Sequence, residues 1–140
     1  NSKEKAKKAF EKINKPFVIS DDSWAFMGLK GFPGIYMHSM NGWLTPEDFL
    51  RLTLPLADRR VILTQYLIFI SENVTKIFKS QTEGELLDKI RGNSPHPSHT
   101  IVTMPGDDGL SIAEVYNKGL DRSKRNSAQI WHEFAKWYAG

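Results

Sequence analysis

The chain has 140 residues, 40% of them hydrophobic, with four Trp, eight Phe, four Tyr and a formal net charge of +3, which suits one globular domain over 1–140 with a sizeable core. It contains no cysteine, so a disulfide framework and a thiolate zinc site are excluded and a reducing, cytoplasmic compartment is expected. No apolar run is long enough to span a bilayer, and so small a net charge makes no specific case for DNA or RNA.

Lys3 to Ile13 carries Ala6, Ala9, Phe10 and Ile13 at helical spacing with lysines opposite, and reads as an amphipathic helix rather than a signal peptide. Lys15-Pro16 ends it. Phe17-Val18-Ile19 reads as a short buried strand that delivers Ser20-Asp21-Asp22-Ser23 to its end, and Trp24 to Met27 as a second strand. Acids at a strand mouth are placed to hold a divalent cation or to steer a water; an exposed turn cap is the plainer account. Gly31-Phe32-Pro33-Gly34 supplies a turn with one rigid φ and two permissive ones. Thr45-Pro46-Glu47-Asp48 opens a helix with an N-cap, a first-position proline and first-turn acids. That helix carries Phe49, Leu50 and Leu52 to Leu54, and stops near Pro55.

Val61 to Ile70 is rich in β-branched and aromatic residues and predicts a central strand. Glu72-Asn73 predicts a hairpin turn into a strand over Val74 to Lys79. Thr82 to Arg91 fits strand or helix. Asn93 to Ser98 reads as a loop and Thr100 to Met104 as a strand. Ser111 caps a helix over Ile112 to Lys118, with Glu114 in its first turn. Ser123 or Asn126 opens the last helix, whose apolar stripe is Ile130, Phe134 and Trp137.

Two separated stretches together resemble a known family. Ser20-Asp21-Asp22-Ser23-Trp24, then Leu29-Lys30-Gly31-Phe32-Pro33-Gly34-Ile35-Tyr36, is similar to the acidic-Asp-Ser/Thr-Gly-Leu segment and the Leu-x-Gly-x-Pro-Gly-x-Tyr turn of the inosine/xanthosine triphosphate pyrophosphatases. Further on, Leu110-Ser111-Ile112-Ala113-Glu114-Val115, Lys118 and Ser123-Lys124-Arg125-Asn126-Ser127-Ala128 resemble the family's Thr-x-Ala-Glu-Met/Leu, Lys-Asn and Ser-His-Arg-x-x-Ala. Lys124 stands in place of the histidine. The resemblance implies an α/β, ITPase-like fold: a long twisted mixed sheet flanked by helices, with Val61 to Ile70 near its centre and both terminal helices packed on it. The implied reaction is hydrolysis of a non-canonical purine nucleoside triphosphate (ITP, dITP or XTP) to the monophosphate and pyrophosphate, with Mg²⁺.

The residue roles follow by position. Counting back from Pro33 without a gap puts Asp21 at the family's catalytic acid and leaves Asp22 where Ser or Thr is usual; Asp21 and Asp22 are the implied metal ligands. Ser23, Lys118, Ser123, Lys124 and Arg125 fall at nucleotide-contacting positions, and Lys5 at a phosphate-reaching lysine. Lys118 and Arg125 are thereby expected to line one cleft with Asp21. The implied partners are a purine nucleoside triphosphate and a second copy of the chain, with Tyr36 to Leu44 in the homodimer interface; no membrane and no specific nucleic acid is implied.

Two departures qualify this. Ser94-Pro95-His96-Pro97-Ser98-His99-Thr100 replaces the family's Gly-Phe-Gly-Tyr-Asp-Pro, so the aromatic and the acid that read the base are missing, and His96 or His99 is left as the hydrogen-bonding partner. Lys5-Ala6 matches a family Lys-Ala that puts Asn1 one residue after the metal-binding Glu, and the phosphate-gripping strand falls outside the sequence. Taken singly, these residues have plainer accounts as solvated lysines, a basic turn, loop histidines and core tryptophans. The alternative function is a nucleotide-binding or interaction module of the same fold without turnover.

Overall fold

The computed structural model describes residues 3–5, 7–8, 15–123 and 125–140. Residues 3–5 and 7–8 are helical; Ala6, Ala9, Phe10 and Ile13, the stripe that predicts that helix, lie outside the described residues, as does Lys124. The expectation that this helix packs on the sheet therefore also lies outside them.

Five strands, β1 Phe17–Phe26, β2 Pro33–Gly34, β3 Arg60–Ile70, β4 Thr75–Leu86 and β5 Val102–Thr103, form one sheet in the order β2-β1-β3-β4-β5. The expected central strand is therefore at the centre. Every pairing between these strands is antiparallel, where the resemblance implies a mixed sheet. The tight turn between β3 and β4, with Ser71 N–H donating to Val74 C=O at 2.8 Å, leaves no room for the crossover that a parallel pair needs. The helices are α1 Met37–Trp43, α2 Pro46–Thr53, α3 Ile112–Asn117 and α4 Gln129–Ala139.

The largest correction concerns β1. The two short strands expected on either side of the acids are one strand of 10 residues. Asp21 and Asp22 sit in its middle, opposite Tyr66 and Gln65 of β3, and not at a strand mouth. The 11 residues of β3 offer ladder partners along the whole length, so the acids are carried through as ordinary strand positions. In the same way β4 runs on to Leu86, so the ambiguous Thr82 to Arg91 segment is strand as far as Leu86 and irregular beyond it. The strand expected over Thr100 to Met104 shrinks to two residues because Pro97–Thr100 closes a 3-10 turn, with Thr100 Oγ1 donating to Pro97 C=O at 2.7 Å.

Side chains alternate across the sheet, so the register divides the strands into two faces. Asp22, Trp24 and Phe26 share one face with Leu63, Gln65, Leu67 and Phe69 of β3 and with Phe78 and Thr82 of β4. Asp21 and Ser23 leave on the other, with Thr64, Tyr66 and Lys79. The first face is covered by different bodies at its two ends. At one end the main core gathers Phe26, Phe49, Val61, Leu86, Ile101 and Ile112 beneath the helices that follow β2 and β5. At the other, α4 lays Phe134 and Trp137 on Phe78, with ring centroids 5.9 and 5.8 Å apart, and Trp137 and Tyr138 on Phe69 at 5.3 and 5.6 Å. The stripe read from the sequence is thus the docking face of α4, and buried Ile130 begins it. Among the described residues no helix is long and apolar enough to cross a membrane.

Candidate functional site

Between those two covered ends, over the middle of the same face, lies a cavity of about 310 Å³ whose floor is Asp22, Trp24, Leu63 and Gln65. Each wall is fixed by local chemistry. Lys30, Gly31 and Gly34 take positive φ (56°, 97° and 57°) and the Phe32–Pro33 peptide is cis; Phe26 N–H donates to Phe32 C=O at 3.2 Å, which folds β2 back onto β1 and pairs Gly34 with Trp24. On the opposite wall, α3 starts at a capping box in which Ser111 Oγ accepts from Glu114 N–H and Glu114 Oε1 accepts from Ser111 N–H, both at 3.0 Å. Ser111 Oγ–H also donates to Arg91 C=O at 2.6 Å, and Arg91 pairs with Glu114 at 2.8 Å. That network anchors the first turn of α3, and Tyr116 follows over the cavity.

The third wall is the Pro97–Thr100 turn, tied to α1 by Ser98 N–H donating to Asn41 Oδ1 at 2.8 Å. It presents His99 to the cavity. The His99 ring lies nearly parallel to Tyr116, 13° between planes and 6.3 Å between centroids, and tilted against Trp24 at 6.2 Å. Arg122 lies over the Tyr116 ring at 4.7 Å. Burial, then the neighbouring His96 and Arg122 charges, lowers the His99 pKa from 6.5 to about 4, so the ring is neutral at physiological pH. The segment leading into α4 closes the cavity with Ser127, Ala128 and Trp131.

A second hollow of about 340 Å³ shares Asp22, Trp24 and His99 with the first and adds Ser20, Asp21, His38, Asn41 and His96. It is the more polar of the two. Asp22, still open to solvent, lines both. Desolvation by the surrounding protein raises its carboxyl pKa, and the adjacent Asp21 charge adds to the rise.

The other residues singled out from sequence are placed as follows. Asp21 and Ser23 belong to the opposite face of the sheet, although Asp21 reaches the second hollow at the edge of β1. His96 lines the second hollow, 4.9 Å from His99 between ring centroids. Lys118 caps the C-terminus of α3 and is exposed, lining neither hollow. Exposed Ser123 donates its N–H to Asp121 at 2.9 Å, and its carbonyl lies 2.8 Å from His132 Nε2. Lys5 is exposed and lines neither hollow. Arg125 forms an ion pair with the buried Asp107 at 2.6 Å. The expected cleft shared by Asp21, Lys118 and Arg125 is therefore not formed: strand alternation turns Asp21 away, α3 ends with Lys118 in solvent, and Asp107 holds Arg125.

Sequence reasoning passed over Gln65, Tyr116 and Arg122. Gln65 had a signal: Val61, Leu63, Leu67 and Phe69 are all apolar and buried, and Gln65 is the polar exception on that face of β3. Gln65 on the floor, His99 on the third wall and Arg122 before α4 each carry a buried polar atom with no hydrogen-bond partner among the described residues: Gln65 Oε1, His99 Nδ1 and Arg122 Nε.

Asp21 and Asp22 leave the strand on opposite faces, and among the described residues no three His, Asp or Glu side chains gather to hold a metal ion. One carboxylate together with substrate phosphates is nonetheless a set that a hard divalent cation accepts, and Asp22 is the carboxylate that could hold one here.

Solved structures share this fold. A Ham1 protein from Staphylococcus aureus superposes with a TM-score of 0.71 at 20% identity, covering 91% of this chain and 70% of that one. A HAM1 protein from Coxiella burnetii gives 0.69 at 18% identity, covering 89% and 68%. These likenesses define the fold class. The chain belongs to the Ham1 family, whose match runs over residues 1–129. A dITP/XTP pyrophosphatase from Pyrococcus horikoshii is 30% identical over 81 residues, 58% of this chain, and the chain spans 44% of the length of that relative.

Proposed function

We propose that the protein hydrolyses a non-canonical purine nucleoside triphosphate such as ITP, dITP or XTP to the monophosphate and pyrophosphate. The observation that carries this reading is that an aromatic hollow and a polar hollow meet at Asp22. A base needs flat apolar walls with a few polar groups, which Trp24, His99 and Tyr116 supply. The phosphates belong in the second hollow, where His38 and His96 can donate N–H bonds to their oxygens. Similarity to the archaeal dITP/XTP pyrophosphatase supports the same chemistry.

In this reading Asp22 orients the water that attacks the α-phosphorus and takes up its proton, a task suited by a carboxyl raised above the usual aspartate range. The α–β anhydride bond breaks and pyrophosphate leaves. Asp22 would also hold the Mg²⁺ that accompanies the triphosphate, whose chemistry is to offset charge on the phosphate oxygens. We assign the catalytic carboxylate to Asp22 in place of Asp21 because it faces the aromatic hollow. Arg125 is engaged by the buried Asp107, and Lys5, Lys118 and Ser123 are given no role. We further propose a cytoplasmic homodimer that covers Ile35, Tyr36 and Trp43, which are 70%, 61% and 76% exposed.

The test is pyrophosphate release from ITP, XTP, GTP and ATP with Mg²⁺. Asp22→Asn is expected to lose at least about a hundredfold, and Asp21→Asn to stay near the parent rate. The reverse pattern returns the role to Asp21. Binding without release from any triphosphate selects the module without turnover.

A further inference from the structure

We propose that Asp107 is a positioning residue of the cavity: through Arg125 its buried carboxylate holds in place the segment that carries Arg122, Ser127 and Ala128, and the nucleotide binds weakly when that tie is released. The proposal rests on the nucleotide reading above and adds to it the group that keeps one wall standing.

That segment has little apolar material to dock with. Over residues 118–128 the sequence offers one large apolar side chain, Leu120, and it is 42% exposed. Yet Arg122, Ser127 and Ala128 line the cavity, so their place rests on polar ties. Two of these ties are made at exposed groups: Ser123 C=O lies 2.8 Å from His132 Nε2, and Arg122 lies over the ring of Tyr116. The third is made inside the protein. Arg125 Nε lies 2.6 Å from Oδ1 of Asp107, whose side chain has no exposed surface. No described residue gives an aligned hydrogen bond to either oxygen of that carboxylate, so the Arg125 charge is what holds it.

A buried ion pair adds little net stability, and its best-attested use is to fix one arrangement among several. Both partners here are joined to cavity walls by their backbones. Arg125 N–H donates to Arg122 C=O at 3.1 Å, and Ala128 N–H donates to Arg125 C=O at 3.0 Å, so the cation sits between two lining residues. On the other side Asp107 N–H donates to Met104 C=O at 3.2 Å and Leu110 N–H to Asp107 C=O at 3.0 Å. That turn lies between Met104 and Ile112, which also line the cavity. Gly106 makes room for the pair: it takes φ 85°, and a Cβ there would lie 3.2 Å from Arg125 Nη1. With the tie released, the segment leaves the wall for part of the time, and a site assembled for only a fraction of the time binds more weakly in proportion. Asp22 and His38 stand on other elements, β1 and α1, so the chemical step is untouched once the ligand is seated.

The experiment compares the parent chain with Asp107→Asn, which keeps the shape and removes the charge, by steady-state hydrolysis of ITP with Mg²⁺ and by amide exchange without ligand. KM is expected to rise about tenfold, the effect of a wall in place about a tenth of the time, with kcat unchanged. The N–H groups of Arg125 and Ala128 should exchange faster while the β3–β4 hairpin keeps its parent rates. Arg125→Lys keeps a cation at a contact made through one nitrogen, and should lie closer to the parent than Asp107→Asn in both readouts. A folded Asp107→Asn with parent KM overturns the proposal, as does one that loses kcat with KM unmoved. Exchange that rises equally over the hairpin shows a general loss of stability and overturns it too. If Asp107→Asn fails to fold, Gly106→Ala crowds the guanidinium with the carboxylate still in place and carries the same expectations. If the parent chain neither binds nor hydrolyses a triphosphate, the nucleotide reading falls and the effect on binding falls with it, while the exchange measurement still decides whether Asp107 holds the segment.

Discussion

The carboxyl of Asp22 is raised because the protein around it removes water and because Asp21 adds a like charge, and this sets the sign of a stability effect. A raised folded-state value means that its contribution is fully present below the unfolded value of 3.8 and is lost as pH rises through the folded value. At pH 7 the ionised group therefore opposes folding, so Asp22→Asn should melt at or above the parent temperature while losing turnover. At pH 3 the two proteins should melt alike. A variant that melts well below the parent at pH 7 would remove the desolvation argument. His99 carries the opposite case. Its value falls from 6.5 to about 4, so its contribution is present above 6.5 and is lost as pH drops toward 4. Thermal melts across that window should show the parent losing stability faster than His99→Phe, which has nothing to protonate.

At the scale of elements, the cap chemistry was legible. Thr45 and Ser111 each close a capping box, with Asp48 and Glu114 at the third position, because a side-chain oxygen three residues from a backbone N–H is a purely local arrangement. The Gly-Phe-Pro-Gly turn and the stripe of α4 were legible for the same reason. Strand lengths were not, since β1 and β4 are as long as the neighbour that pairs with them, and pairing is non-local. The choice between Asp21 and Asp22 was not legible for a related cause: a count along the sequence carries no face, while the ladder to Gln65 and Tyr66 does. Gly84 shows what such a ladder demands. A Cβ there would lie 2.6 Å from the carbonyl oxygen of Thr103 and 2.7 Å from Met104 Sδ. Gly84→Ala should thus push β5 away, cost about 1–3 kcal/mol, and weaken nucleotide binding because Met104 lines the cavity. Denaturant unfolding and calorimetry would measure both; a variant as stable as the parent would mean that β5 shifts freely.

For the molecule as a whole, the exposed aromatic and aliphatic side chains around the Pro33 turn and α1 are concentrated on one region, with Trp43 76% exposed. Trp43→Glu should shift sedimentation toward the monomer without changing the melt of a dilute sample. A parent chain that already sediments as a monomer would dismiss that interface. The same view explains why the site lies where it does. One uninterrupted sheet serves two packed bodies, and the hollow is the gap between them.

That gap has a thermodynamic consequence. The core around Phe26 and the aromatic cluster of Phe69, Phe78 and Trp137 need not open together, because cooperative units in proteins follow contiguous packing. A molecule seated on Trp24, His99 and Trp131 touches walls built by both, and so welds two units of local opening into one. Amide exchange should then slow on nucleotide binding throughout α4 and the β3–β4 hairpin end, far from any atom in contact with the ligand. Protection confined to the contact residues would mean that the two bodies were already a single unit.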